Sequence, residues 1–469
     1  MEPSARPPLL AGSTAARDIA YSVHPYTHLR RHQESGPLVI VRGEGVRVYD
    51  ETGKGYIEGL AGLWCASLGW SQHRLVEAAE RALRQLPTYH GFGGKAVVAA
   101  IDLAQNLINR APVPMSKVFF ANSGSEANDT AVKLVWYYNN AIERPRKKKI
   151  ISRVRGYHGV TVATASLTGL AANQLDFDLP MDGMLHTDCP HYYRCAYPGE
   201  SEEAFASRLA ANLEALILAE GPETVAAMFA EPVMGAGGVI VPPKGYFAKI
   251  QQVLKRYDVL LVADEVICGF GRTGHDWGSR TFGLEPDILT CAKALSSGYM
   301  PISAVMISEP IWQAMVAESD KIGMFGHGFT YSGHPVAAAV ALETLKIYDE
   351  MDIVGHVRAV TPALQNGLRR FADHPLVGEV RGVGLIAAVE IVKDKSTKIQ
   401  FDPTLMLAAQ VAKRAEAHGV IVRALTGDVI AFSPPMIIET NEIKEMLEAF
   451  CQALEETWAW VRAQGLSDA

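Results

Sequence analysis

The sequence predicts an α/β fold in which functional residues lie at the ends of neighbouring strands. Residues Val259–Val266 form an apolar, β-branched run with an acidic pair at its end, as expected for a buried strand. A second apolar run, Ile288–Lys293, ends on a lysine. A third predicted strand, Lys117–Ala121, leads through small residues into a helix. In open α/β sheets ligands bind at such strand ends.

The remaining elements follow from periodicity and turn chemistry. The alternation in residues 38–60, interrupted by a Thr-Gly-Lys-Gly turn, predicts a hairpin. Residues 175–203, rich in Pro, Asp, His and Tyr, are expected to form a long loop near the pocket entrance or a subunit interface. Further strands are predicted at 150–152, 225–230, 385–391, 419–422 and 429–432, and helices at 123–136, 202–220 and 336–348.

Length and composition indicate a globular enzyme with one large and one smaller domain. The chain has 469 residues, of which 48% are hydrophobic and 20% charged. The net charge of −7 argues against a surface that binds nucleic acid. No run of about 18 apolar residues predicts a membrane span. Residues 1–8 lack a signal-peptide core and are expected to form a flexible arm, so a cytoplasmic location is predicted.

Six cysteines lie far apart, without C-x-x-C spacing, and are expected to be reduced. The segment Cys189–Cys195 contains His191 and has a superficial likeness to a zinc site. No second pair of ligands lies nearby in sequence, so we predict that the chain holds no metal.

The predicted strand ends bring an acid, Asp264, close to an amine, Lys293. A buried carboxylate is costly unless a cation or a hydrogen-bond donor meets it. A lysine amine can form a Schiff base with pyridoxal phosphate (PLP), and such enzymes set an acid against the pyridinium nitrogen. The structural alternative is an ion pair at a sheet edge. By the period of a strand, Asp264 and Val266 share one face, whereas Glu265 points the other way and is expected to be structural.

Residues 122–128, Asn-Ser-Gly-Ser-Glu-Ala-Asn, predict an anion site at the start of a helix. Exposed N–H groups and the helix dipole both favour a phosphate there. The alternative is an ordinary serine cap. A second motif, Gly269–Gly274, matches the dinucleotide pattern G-x-G-x-x-G. We reject a nicotinamide site because His275-Asp-Trp-Gly is a poor helix start.

Together, these motifs resemble the signature of the class III aminotransferases, which are PLP enzymes of fold type I. The likeness is greatest to the ω-transaminases, the amine:pyruvate and β-alanine:pyruvate aminotransferases. It extends from about His24 to about Glu455 and is carried by Asp264-Glu-Val266, Gly269–Gly274, Pro286-Asp287, Lys293, Ser297-Gly298 and Pro301.

The resemblance implies a large domain with a mostly parallel seven-stranded sheet and a small α+β domain built from both termini. The implied boundaries are an arm and hairpin at residues 1–60, a PLP domain at 61–340 and a C-terminal small domain at 341–469. Lys293 is expected to hold the cofactor and move the substrate proton, with Asp264 at the ring nitrogen. The other expected cofactor contacts are Ser123, Gly124, Ser125, Tyr157 (stacked on the ring), His158, Glu231, Val266, Phe329 and Thr330.

The resemblance also implies a substrate pocket in which Arg423 holds a carboxylate and swings aside for apolar amines. Gly93 replaces a second aromatic residue of many ω-transaminases, which leaves the size of the substrate open. Ile267 replaces a glutamine of relatives that act on ornithine or γ-aminobutyrate and therefore disfavours those two substrates. The expected pocket residues are Leu63, Trp64, Phe92, Tyr157, Ala236 and Arg423.

In the resembled family the threonine that matches Thr330 reaches the phosphate of the neighbouring subunit. A homodimer with shared active sites is therefore expected, and a tetramer remains open. The implied reaction transfers an amino group from an amine or ω-amino acid to a keto acid such as pyruvate, with ping-pong kinetics. The alternatives are an aminomutase or decarboxylase of the same fold, or a PLP-binding protein without catalytic activity.

Overall fold

A computed structural model describes residues 12–467, so the predicted arm at residues 1–8 lies outside the described part. The strands, numbered in chain order, are β1 (Ile40–Glu44), β2 (Arg47–Asp50), β3 (Gly55–Glu58), β4 (Lys117–Ala121), β5 (Lys149–Arg153), β6 (Met184–Thr187), β7 (Val225–Ala230), β8 (Leu260–Asp264), β9 (Ile288–Cys291), β10 (Ser303–Ile307), β11 (Val377–Val383), β12 (Ile386–Ile391), β13 (Val420–Ile421), β14 (Arg423–Leu425) and β15 (Val429–Phe432).

Helices are interspersed with these strands along the chain, and several of them lie where the periodicity of the sequence predicts a helix. In chain order they are α1 (Thr14–Tyr21), α2 (Leu29–Ser35), α3 (Ala61–Trp64), α4 (His73–Gln85), α5 (Val98–Arg110), α6 (Gly124–Ala141), α7 (Val162–Leu167), α8 (Tyr192–Cys195), α9 (Glu202–Glu220), α10 (Tyr246–Arg256), α11 (Gly278–Phe282), α12 (Glu309–Ile322), α13 (Pro335–Glu350), α14 (Ile353–Arg369), α15 (Leu407–Ala417) and α16 (Thr440–Ala463).

The central sheet has seven strands in the order β4-β10-β9-β8-β7-β5-β6. Only β10 runs antiparallel to its neighbours, which confirms the prediction of a mostly parallel seven-stranded sheet. Every residue of β7 is buried, because helices cover both faces of a parallel sheet. The pairing of Asp264 with Thr290 brings the carboxyl ends of β8 and β9 together.

Two smaller sheets lie outside the central one. The first, β1-β2-β3-β13, joins the N-terminal hairpin to the C-terminal part of the chain, because β13 pairs in parallel with β3. The second has the order β11-β12-β15-β14 and carries Arg423 at the start of β14. The predicted hairpin is present as β2 and β3, with β1 as an additional strand. The exact domain boundaries stay a prediction.

The prediction of a long loop at residues 175–203 is wrong in part. This segment contains β6, the edge strand of the central sheet, and the short helix α8. The strand was missed because its four residues, Met-Leu-His-Thr, are too few to show a period. Among the described residues, no helix is long and apolar enough to cross a membrane.

Candidate active site

Asp264 lies buried at the carboxyl end of β8, and three neighbouring groups fix its carboxylate. Its Oδ2 accepts a hydrogen bond from Asn128 Nδ2 at 2.7 Å and lies 2.9 Å from His158 Nδ1. Its Oδ1 accepts from Val266 N at 3.1 Å. Thr290 Oγ1 donates to Asn128 Oδ1 at 2.7 Å and orients the amide. These bonds satisfy a carboxylate that burial would otherwise make costly.

The strand itself ends at Asp264, two residues earlier than the sequence predicts. Glu265 nevertheless points away from Asp264, as expected. It accepts hydrogen bonds from the backbone N–H groups of Gly278 and Ser279 and from the Ser279 hydroxyl, at the start of α11. Burial raises the pKa of Glu265 to about 7, and these donors oppose that shift. Glu265 therefore stabilises the loop after β8.

Lys293 follows β9 by two residues and adopts a left-handed backbone conformation, with φ of 47°. Non-glycine residues rarely adopt this conformation, and the strain is typical of functional positions. Burial lowers the pKa of the Lys293 ammonium, while the Asp264 carboxylate opposes the shift. The amine is therefore more easily deprotonated than an exposed lysine.

Asp264 and Lys293 line one cavity of about 120 Å³, which we call the inner cavity. Glu231 closes one side and accepts hydrogen bonds from Tyr157 N at 3.0 Å and Gly235 N at 3.1 Å. Burial raises the pKa of Glu231. The lining residues are Gly124, Ser125, Asn128, Tyr157, His158, Gly159, Glu231, Asp264, Val266, Ile267 and Lys293.

The start of α6 opens into the inner cavity at Gly124 and Ser125. A Cβ at Gly124 would lie 3.0 Å from Val266 Cγ1, so only glycine lets this turn approach the end of β8 so closely. Ser123 does not line the cavity. Its hydroxyl caps the helix instead, accepting a hydrogen bond from Glu126 N at 3.1 Å, which is the alternative left open by the sequence.

These residues fit PLP on chemical grounds. The cavity offers backbone N–H groups at a helix start for a phosphate, a buried carboxylate for a ring nitrogen and an amine for an aldehyde. His158 Nε2 is buried without a hydrogen-bond partner among the described residues. Tyr157 and Val266 both border the cavity and offer an aromatic and an aliphatic surface for a ring.

A second space of about 270 Å³, which we call the outer chamber, shares Tyr157, Ile267 and Lys293 with the inner cavity. The Trp64 ring centroid lies 6.0 Å from Lys293 Nζ and 5.2 Å from Arg423 Cζ. Burial lowers the pKa of the Arg423 guanidinium. The chamber thus combines an apolar wall with the Arg423 guanidinium and the Lys293 amine. Leu63, Trp64, Ala236 and Arg423, which the sequence assigned to the substrate pocket, all line it.

Tyr26 also lines the outer chamber and was missed by the sequence analysis. Its hydroxyl accepts a hydrogen bond from Asn173 Nδ2 at 2.5 Å. No local pattern marks Tyr26, since its partner is distant in sequence. Asn128 was missed as well, although it lies one helical turn after Gly124 and therefore shares its face of α6.

The structure places Phe92, Phe329 and Thr330 away from the inner cavity and outer chamber. Phe92 lines a separate apolar groove of about 860 Å³, together with Phe119 and His327. The Phe92 ring packs closely on Gly328, the residue before Phe329. A Cβ added at Gly328 would lie 3.0 Å from that ring. Thr330 is exposed. None of these three residues lines the inner cavity or the outer chamber of its own chain.

The loop that carries Trp64 is held by a buried acid. Ala61, Gly62 and Trp64 all have positive φ values. The Glu58 carboxylate accepts a hydrogen bond from Gly62 N at the start of this strained segment. Burial raises the pKa of Glu58 to about 8, and the backbone donors of this loop oppose the shift.

Comparison with known proteins reveals close similarity along nearly the whole chain. The profile described as "Aminotransferase class-III" matches residues 29–454. A tomato (Solanum lycopersicum) protein named "Gamma aminobutyrate transaminase 3, chloroplastic" is 52% identical over 454 residues, covering 96% of this chain and 87% of that protein.

Two solved structures are similar in both sequence and fold. The ω-transaminase from Pseudomonas jessenii in complex with PMP is 57% identical, with a TM-score of 0.94, covering 96% of this chain and 99% of that one. A thermostable ω-transaminase variant with substitutions at a tryptophan, a phenylalanine and an arginine, described as engineered for asymmetric synthesis of enantiopure bulky amines, is 57% identical with a TM-score of 0.95. It covers 96% of this chain and 100% of that chain.

Replacing Glu58 with glutamine should flatten the pH dependence of stability. A carboxyl group whose pKa is raised from 4.5 to about 8 in the fold destabilises the protein as pH rises through that window. The loss amounts to at most about 1.4 kcal/mol per pH unit. Glu58→Gln keeps a hydrogen-bond acceptor for Gly62 N but cannot ionise. Melting temperatures between pH 5 and 8 should therefore fall less for Glu58→Gln than for the native protein.

Glu51→Gln, in an exposed turn of the same sheet, is the matched control and should follow the native curve. Parallel pH profiles for the native protein and Glu58→Gln would contradict the assignment of a buried, ionisable Glu58.

Proposed function

Because this chain belongs to the class III aminotransferases, we propose that the inner cavity and outer chamber form its active site, with Lys293 and Asp264 as the catalytic residues. The chain is a PLP-dependent aminotransferase that transfers an amino group from an amine donor to a keto acid. The observation that carries the proposal is that the Asp264 carboxylate and the Lys293 amine border one cavity from the ends of adjacent strands.

Bound PLP supplies an aldehyde carbon that binds amines covalently and a ring that accepts electrons. Lys293 would hold that carbon through its amine, and the same amine, when free, would move the proton of the substrate carbon. Its lowered pKa favours the neutral amine that such a base requires. Asp264 would keep a proton on the ring nitrogen, while Asn128 and His158 hold the carboxylate in place.

The phosphate-binding part of the site combines two chains. The N–H groups at Gly124 and Ser125 would bind the phosphate at the positive end of α6. Ser123 contributes by capping that helix. Tyr157 and Val266 line the cavity and would hold the ring with an aromatic and an aliphatic surface, and Glu231 would offer its carboxyl group to the cofactor oxygen. Phe329 and Thr330 of the partner subunit complete the site.

The outer chamber binds the substrate. Arg423 is the one cation that we assign to a substrate carboxylate, and Leu63, Trp64, Ala236 and Tyr26 surround the remaining part of the substrate. The engineered ω-transaminase supports this assignment. Its substituted tryptophan, phenylalanine and arginine are separated by 28 and 331 residues, the same spacings as Trp64, Phe92 and Arg423. The variant that carries these substitutions is described as engineered for the synthesis of bulky amines.

We propose an ω-transaminase specificity, with amines or ω-amino acids as donors and pyruvate as acceptor. The similarity to an ω-transaminase at 57% identity supports the subgroup. The tomato relative is named for γ-aminobutyrate, a substrate that Ile267 was expected to disfavour, so this ω-amino acid belongs in the donor panel. We place the enzyme in the cytoplasm, in keeping with six cysteines that form no disulfide, whereas the tomato relative is named as chloroplastic.

The substrate assignment is tested by following alanine formation from pyruvate with three donors: a carboxylate-free arylalkyl amine, β-alanine and γ-aminobutyrate. Arg423→Ala should raise KM for pyruvate and for the ω-amino acids about 10- to 100-fold, because a charge-assisted hydrogen bond is lost. KM for the arylalkyl amine should change by less than about threefold. The control is Arg47→Ala, which removes a positive charge from β2, outside both the inner cavity and the outer chamber. Equal effects on all donors, or no alanine from any donor, would contradict the proposal.

We also propose that two copies of the chain share their active sites. The distance of Phe92, Phe329 and Thr330 from the cavities of their own chain supports this, since a partner could present the same residues in trans. The apolar groove that Phe92 lines is a suitable contact surface.

A mixed dimer of Lys293→Ala and Thr330→Ala chains, purified with two different tags, tests this sharing. If Thr330 acts in trans, one site of the mixed dimer has both native residues and the other has neither. The mixed dimer should therefore show half the native activity and one PLP bound with native affinity. The Thr330→Ala homodimer should bind PLP roughly tenfold more weakly. A mixed dimer without any site of native PLP affinity would show that Thr330 acts within its own chain.

A further inference from the structure

Three side chains in the N-terminal part of the described chain converge on one point. Asp18 lies on α1, His32 lies on α2, and His24 lies in the link between these two helices. The His24 Nε2 atom is 2.9 Å and 2.8 Å from the two Asp18 carboxylate oxygens, and the His32 Nε2 atom is 3.0 Å from Oδ2. The centroids of the two imidazole rings are 4.1 Å apart. One ligand atom from each residue lies within 4.8 Å of the other two, so all three can reach a common ion.

The chemistry of these atoms suits a divalent transition metal. Two imidazole nitrogens and one carboxylate oxygen form a ligand set that Zn²⁺ accepts, with water as the fourth ligand of a tetrahedron. Metal–ligand bonds of about 2.0–2.1 Å place the ligands of such a tetrahedron about 3.3 Å apart. The nitrogen–oxygen distances in the cluster are only a few tenths of an ångström shorter. Mg²⁺ and Ca²⁺ prefer oxygen ligands and fit this set poorly.

The charges around the cluster leave room for a cation. The hydrogen bond from His24, and after it the one from His32, lower the pKa of the Asp18 carboxyl, although desolvation opposes the shift. Within residues 12–467, no lysine or arginine forms an ion pair with Asp18. A neutral imidazole can carry its proton on Nδ1 and leave Nε2 free for a metal. All three side chains are partly exposed, so an ion can enter from solvent.

A second cluster of similar composition is already neutralised by arginines. The His191 ring lies 2.8 Å from Glu379 and 3.9 Å from Glu390. Arg381 pairs with both glutamates, at 2.5 Å and 2.6 Å, and Arg194 pairs with Glu390 at 2.5 Å. These two guanidinium groups compensate the carboxylates and would repel a metal ion. The cluster on α1 and α2 has no such compensation.

The segment that carries the first cluster has little apolar support of its own. Ala15 is the buried residue of α1, and none of the seven described residues of α2 is buried. Tyr26, which lies between His24 and His32 in the sequence, lines the outer chamber. A link between the two helices would therefore fix a segment that borders this chamber.

We propose that Asp18, His24 and His32 bind a divalent transition-metal ion of the zinc type, which links α1 to α2 and fixes the segment that carries Tyr26. Each histidine binds through Nε2 and keeps its proton on Nδ1, and water takes the fourth position. The prediction of a chain without metal rested on the cysteine segment alone. The new ligands are six and eight residues apart, spacings that match no familiar zinc pattern.

The test titrates untagged, PLP-loaded protein with zinc, after treatment with a chelator and removal of free PLP. Native protein should bind one zinc ion per chain with a Kd in the micromolar range or below. Asp18→Asn, His24→Gln and His32→Gln each remove one ligand and should weaken this binding at least about 10- to 100-fold, since even the loss of an outer-shell partner has such an effect. Magnesium in excess should not displace the zinc.

His418→Gln is the matched control. His418 pairs with the single carboxylate of Glu456 at 2.9 Å, on the surface and away from the cluster. This variant should bind zinc as the native protein does. Equal zinc binding by native protein and His32→Gln, or no binding by the native protein, would overturn the proposal.

Hydrogen exchange tests the link between the helices. Zinc should slow the exchange of backbone amides in residues 14–35 of the native protein and of His418→Gln, but not of His32→Gln. Bound zinc without any slowing in this segment would contradict the proposed link. The visible absorbance of bound PLP shows that each variant is folded. Neither measurement requires transamination, so failure of the proposed function would be detected separately.

Discussion

The structure depends on one buried carboxylate. Asp264 lies at the end of a strand that is buried along most of its length, where an ionised group is costly without compensation. Asn128, His158 and the backbone of Val266 supply that compensation. They come from helix α6, the turn after β5 and the turn after β8. The carboxylate therefore ties together the three chain segments that surround the inner cavity.

The fold puts the other functional groups within reach of this carboxylate. Parallel pairing of β8 with β9 brings Lys293 to the same edge, and the helix after β4 directs its N–H groups at the same space. The small sheet β11-β12-β15-β14 delivers Arg423 from the C-terminal part of the chain. The residues that we propose for the cofactor thus lie mainly at the edge of the central sheet, whereas Arg423, which we propose for the substrate, comes from a smaller sheet.

The sequence predicts best what a short segment determines by itself. The positions of Asp264 and Lys293 at neighbouring strand ends could be predicted because each lies at or just after the end of an apolar run, and the start of α6 could be predicted because a small-residue run precedes it. Tyr26 could not, since its contact with Asn173 spans 147 residues. Ser123 was given a cofactor role, but its hydroxyl caps α6, and a sequence pattern cannot separate these two uses. The strand β6 was missed because four residues show no period.

The central claim is that the Asp264 carboxylate makes the bound cofactor reactive toward amines. It is tested most directly by mixing PLP-loaded protein with an ω-amine in the absence of any keto acid and following the visible absorbance of the cofactor. Native protein should lose this absorbance rapidly and regain it with pyruvate. Asp264→Asn, which keeps the shape but removes the charge, should bind PLP through Lys293 yet lose the absorbance about 100-fold more slowly. A native rate in Asp264→Asn would contradict the account.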